Sequence, residues 1–107
     1  MPIVPASGSL TGVAINAANN GDNTLVAGVA GKQVRAYKLV LIANSAVNIK
    51  FKDGAGTDLT GVMALLANQT LTFNFDGEPW FTTSAGNALI LNLSGAFQVS
   101  GRLFYLQ

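Results

Sequence analysis

The sequence contains no cysteine and no histidine. The first absence removes disulfide staples, thiolate nucleophiles and thiolate metal ligands. The second removes the commonest general base and the commonest metal ligand. Charge is scarce as well: 10% of the residues are Asp, Glu, Lys or Arg, where a soluble domain usually carries roughly 25%. A lone domain stays in solution by covering itself with such residues, so this chain is expected to bury part of its outer surface against copies of itself or another protein. The net charge of +1 provides no field that would gather nucleic acid or an anionic membrane, so neither is expected as a partner. No run approaches the ~20 apolar residues of a membrane span. Residues 1–9 lack the basic region and apolar stretch of a secretion signal.

What is present is short, apolar and punctuated. Half of the 107 residues are apolar, which excludes disorder. A chain of this length is expected to form one domain that hides about 60 to 65% of its unfolded surface. Residues 1–9 hold two prolines, a glycine and two serines, a composition that resists regular pairing and suits an extended arm, with Ile3 and Val4 as its apolar contacts. From residue 10 to 107 the pattern is that of a single β-sandwich domain. Candidate strands lie near 10–17, 24–29, 33–43, 47–52, 62–66, 70–75, 80–83, 89–93 and 97–106, and no long helix is indicated. Residues 62–66 are good helix formers, yet their flanks favour a strand. Turn chemistry separates the strands at Asn19-Asn20-Gly21-Asp22, Asp53-Gly54-Ala55-Gly56 and Asp76-Gly77-Glu78-Pro79. Gly12, Gly28 and Gly101 fall inside runs, where a bulge or a close backbone approach is expected. The fold class is all-β: an antiparallel sandwich or barrel with about eight to nine short strands.

Strand periodicity assigns faces. Residues 33–52 read as a hairpin closed by Asn44-Ser45-Ala46, with Ala43 opposite Val47, Leu41 opposite Ile49 and Leu39 opposite Phe51 on the core face. The other face then carries Val40 and Ile42 together with Lys38, Lys50 and Lys52, a small basic patch. Inward positions elsewhere are Val34 or Tyr37, Leu71, Phe73, Phe75, Leu89, Leu91, Leu93, Phe97, Val99 and Leu103. The run Leu103-Phe104-Tyr105-Leu106 is apolar on both faces and needs a second cover. Val40, Ile42, Phe104 and Leu106 are therefore the expected subunit contacts of the domain.

No arrangement of the remaining polar residues suggests catalysis, and no cofactor is indicated. The acids Asp22, Asp53, Asp58, Asp76 and Glu78 all fall in expected turns, where solvated carboxylates are ordinary. The loop 53–58 offers two carboxylates around glycines but lacks the further ligands of a calcium loop. No glycine-rich run ends in Lys-Ser or Lys-Thr, so phosphate cradling has no support. Trp80, with Tyr37 and Tyr105, suggests contact chemistry, as a stacking platform for a sugar ring or as an interface anchor, with partial burial of Trp80 as the plain alternative.

The stretches Phe51-Lys52-Asp53-Gly54-Ala55-Gly56-Thr57-Asp58-Leu59-Thr60-Gly61, Pro79-Trp80-Phe81-Thr82-Thr83-Ser84-Ala85-Gly86-Asn87-Ala88-Leu89 and Leu91-Asn92-Leu93-Ser94-Gly95-Ala96, with Gln98-Val99-Ser100-Gly101, resemble a group of small virion proteins of tailed bacteriophages. The resemblance spans roughly residues 23–107 and lies in strand and turn positions. It implies a jelly-roll sandwich that forms a homotrimer and sits on the phage head as a decoration or cement protein, or contributes to a fibre. On that expectation the partners are other copies and the major capsid protein or another virion protein, and the location is the virion, assembled in the host cytoplasm. The resemblance carries over no catalytic or cofactor residue.

Overall fold

Alternating side chains fix which way each strand faces, and the strands obey that alternation closely. The computed structural model of the chain describes residues 10–74 and 78–107. Ile3, Val4 and the rest of the expected arm lie outside the described residues, as do Phe75, Asp76 and Gly77. The strands are β1 (Thr11–Ala17), β2 (Gly21–Val26), β3 (Arg35–Ala43), β4 (Val47–Asp53), β5 (Thr57–Asp58), β6 (Met63–Leu65), β7 (Thr70–Phe73), β8 (Phe81–Thr82), β9 (Leu89–Leu93) and β10 (Val99–Leu106). Helix is absent among the described residues.

The strands form two five-stranded antiparallel sheets. One, the β1 sheet, runs β1-β10-β3-β7, with β8 also beside β3. The other, the β2 sheet, runs β2-β9-β4-β5, with β6 also beside β4. The connections β1 to β2, β3 to β4 and β9 to β10 all cross between sheets. An eight-strand frame wound in this way, with a small β4–β5 turn and β8 added, is a jelly roll.

The crossing from β3 to β4 corrects the expected hairpin. β3 pairs with β10, β7 and β8, whereas β4 pairs with β9, β5 and β6. Residues 44–46 therefore carry the chain from one sheet to the other. Face assignment survives this change, because a crossing that keeps the apolar side inward preserves parity: Leu39, Leu41, Ala43, Val47, Ile49 and Phe51 are all buried. They meet Ile15, Leu89, Leu91, Leu93, Val99 and Leu103 in one core, where a fully buried large apolar side chain contributes roughly 1.5 to 3 kcal/mol.

Both Val34 and Tyr37 are buried, and an irregularity explains it. Tyr105 pairs with Ala36 and Phe104 with Lys38, which leaves Tyr37 as an extra residue and reverses the inward parity of β3 on either side of it. Phe97 is not a core residue; it is 42% exposed, because it precedes β10 and lays its ring over Gly95 instead. At Gly101 a β-carbon would strike the Val40 carbonyl of the neighbouring strand, so β10 and β3 approach as closely as they do only because that residue has no side chain.

Candidate functional site

The outer face of the β1 sheet holds the main concentration of exposed apolar surface among the predicted contact residues. Three rows cross it. Gly12, Phe104 and Lys38 form one; Ala14, Arg102, Val40 and Thr72 the next; Asn16, Ser100, Ile42 and Thr70 the third. Val40 is 40% exposed and Ile42 46%, since their strand turns its other side to the core. Adjacent strands bring Val40, Ile42 and Phe104 together. Leu106 stands opposite Arg35, beyond the irregularity in the same strand, and is half-buried.

Two cations border this surface. Lys38 Nζ lies 5.0 Å and Arg102 Cζ 5.3 Å from the centroid of the Phe104 ring, so the ring attracts both charges. Beside them a hollow of about 320 Å³ opens between Lys38, Val40, Thr72, Asn74, Arg102 and Phe104. Arg102, Thr72 and Asn74 were not singled out from the sequence. The alternation Ser100, Arg102, Phe104 against buried Val99 and Leu103 is the signal that places Arg102 here.

The three lysines of the expected basic patch do not share a face. Lys38 lies on the β1 sheet, while Lys50 and Lys52 lie on the opposite side of the sandwich because β4 belongs to the other sheet. Lys50 Nζ is 3.2 Å from Asp58 Oδ2, and Lys52 Nζ is 3.1 Å from Asp22 Oδ1. These two ion pairs thus decorate the β2 sheet. The Asn92 amide also donates to Asp22 at 2.8 Å. It holds that carboxyl below its ordinary value, against the upward push of partial burial and with help from Lys52.

The acids correct a second expectation. Asp22, Asp53 and Asp58 lie in strands, not turns, and Asp53 is buried. Its carboxylate accepts hydrogen bonds from the Ser84 amide at 3.1 and 3.0 Å, the Ser84 hydroxyl at 2.8 Å and the Asn87 amide at 3.0 Å. Burial pushes this carboxyl up, and the donors from Asn87 and Ser84 outweigh it, so the group sits below its ordinary value. Asp53 is thereby engaged with the 83–88 connection and Asp58 with Lys50, and the two carboxylates do not converge across their loop. Among the described residues no group of three or more acids could hold a metal ion.

Trp80 stacks on Phe73, with ring centroids 4.8 Å apart and planes 19° apart. Its indole Nε1 donates to the Asn74 carbonyl at 2.8 Å. The ring is still 47% exposed, so it presents a fixed aromatic surface to solvent.

No protein-family model and no curated protein matches this chain. Among solved structures, the coat protein of Tobacco streak virus is similar at 13% sequence identity. The likeness covers 94% of this chain and 88% of that one, with a TM-score of 0.43. The jelly-roll assignment rests on the strand order given above.

Proposed function

We propose that this chain is a non-enzymatic virion structural protein: a homotrimeric decoration, or cement, protein that stabilises a phage head by bridging neighbouring copies of the major capsid protein. Its location on this reading is the virion, after assembly in the host cytoplasm. The single observation that carries the reading is the outer face of the β1 sheet, where Val40 and Ile42 stand exposed beside Phe104 between two cations. A protein so poor in charge that leaves such a surface open is suited to burying it against another chain. The resemblance of residues 51–61, 79–89, 91–96 and 98–101 to phage virion proteins points the same way, and jelly rolls serve viral capsids as well as lectins and other sites.

Particles stripped of the protein provide the test. Wild-type chain should be an oligomer at micromolar concentration and co-sediment with the particles. Val40→Asp should lose that retention while keeping its unfolding midpoint, since the substitution lies on an already exposed face and forces a charge into the contact. A monomer that is not retained on particles would refute the proposal.

A second reading is favoured by Trp80. An indole held flat on Phe73 and anchored through Nε1, yet open to solvent, is preorganised to stack on a sugar ring. On that reading the chain is a carbohydrate-binding or host-attachment module of a phage fibre. Acrylamide should quench Trp80 fluorescence, and a binding glycan should protect it; no protection by any host-surface glycan would remove this reading.

A further inference from the structure

Sheet edges expose unpaired amides and carbonyls, and proteins ordinarily blunt them with short strands, charges, prolines or bulges. Most edges of this sandwich follow that rule. β5 and β8 have two residues each, β6 three and β7 four. β2 is longer but carries Asp22, has a register irregularity between Thr24 and Val26, and folds the Asn23 amide back onto the Asn19 and Gly21 carbonyls. β1 follows none of these devices. It has seven residues, no charge and no proline, and it pairs with β10 in unbroken register from Thr11 opposite Tyr105 to Ala17 opposite Val99. Among the described residues its backbone bonds to no strand but β10.

We propose that β1 pairs antiparallel with β1 of a second copy of this chain, joining two β1 sheets edge to edge into one continuous sheet about a two-fold axis at Ala14. The sequence of the strand fits itself in that register. Ala14 faces Ala14 of the second copy, an exposed small residue on each side. Val13 faces Ile15 on the core side, where Val13 is only half-buried in the single chain, so the pairing extends the apolar layer across the junction. Gly12 faces Asn16 on the outer side. No like charges meet anywhere along the strand, which is the usual obstacle to homotypic pairing. The contact is made by the backbone edge of β1 rather than by the Val40, Ile42 and Phe104 side chains of the outer face, and it does not depend on the function proposed for those residues.

The absence of cysteine makes the test direct. Ala14→Cys places one thiol from each copy opposite the other, at the 4.5 to 5.5 Å separation of directly opposed β-carbons (about that range), so mild oxidation should convert most of the protein to a covalent dimer. Asn16→Cys, whose opposite residue is Gly12, should give far less. Ala14→Lys puts two cations at the axis and should abolish the two-fold species in sedimentation without changing the denaturation midpoint. Val40→Asp, introduced into the Ala14→Cys chain, should leave the cross-link intact. Equal cross-linking of Ala14→Cys and Asn16→Cys, no cross-linking of either, or an Ala14→Lys protein of unchanged mass would each overturn the pairing.

Discussion

Asp53 shows how far a single side chain can depart from its usual role. A carboxylate beside glycines suggests a solvated turn, yet this one closes β4 and ties it to the connection between β8 and β9 through Ser84 and Asn87. Its lowered pKa has a definite sign. A carboxyl that ionises more readily when folded stabilises the fold above the ordinary value of 3.8, and that contribution is lost as pH falls through the lowered folded value. Asp53→Asn should therefore cost on the order of 2 kcal/mol near neutral pH, where charged hydrogen bonds are replaced by weaker ones. The gap between variant and wild type in urea midpoint should narrow as pH is taken below 3.8. A gap that stays constant with pH would show that the charge does not hold this loop. The role was not legible beforehand, because Ser84 and Asn87 lie 31 and 34 residues further along the chain, and no local pattern reports a partner at that distance. Phe97 was misplaced for a related reason: alternation counted back from Val99 points it inward, but the strand has not yet begun there.

At the level of the strand, local pattern and turn chemistry found most elements, but β2 runs Gly21–Val26 where 24–29 was expected, so Gly21 and Asp22 belong to the strand rather than to the turn before it. β9 begins and ends where the alternation of 89–93 placed it, and Gly54 takes the positive φ, 62°, that its turn requires. What the pattern cannot report is which sheet a strand joins. A three-residue connection such as 44–46 closes a hairpin or carries the chain over the top of a sandwich with the same parity, so the faces of β3 and β4 were right while their partners were wrong. The close contact of β10 with β3 supplies a prediction at this scale. Gly101→Ala would drive a methyl group into the Val40 carbonyl, and because the obstacle is backbone the strands must part. The expected cost is about 1 to 3 kcal/mol, read as a lowered denaturation midpoint. A neutral substitution would mean that the two strands can separate there without loss.

For the whole molecule, the decisive feature is that the last strand is central. β10 lies between β1 and β3, so the β1 sheet is complete only when Thr11–Ala17 and Val99–Tyr105, far apart in sequence, have paired. Folding that waits on such distant pairing is slow, on the order of milliseconds to seconds for topologies of this kind. Removing residues 99–107 should leave a chain with no cooperative unfolding transition, measured by circular dichroism against denaturant. A truncated chain that still unfolds cooperatively would show that the β2 sheet is stable by itself. Short apolar strands with frequent turns announced the all-β class at this scale, but they fit a barrel as well as a sandwich. The candidate surface was legible in part: Val40, Ile42 and Phe104 came from alternation, while their neighbours Thr72 and Asn74 depend on a strand pairing that no single segment encodes.

The distribution of ion pairs gives the sandwich a front and a back. Lys50 and Lys52 are neutralised by Asp58 and Asp22 on one side, whereas Lys38 and Arg102 rest on an aromatic ring on the other. Near a negatively charged wall the resulting torque would turn the Phe104 side forward before any contact is made, so that a nearly neutral molecule arrives already oriented.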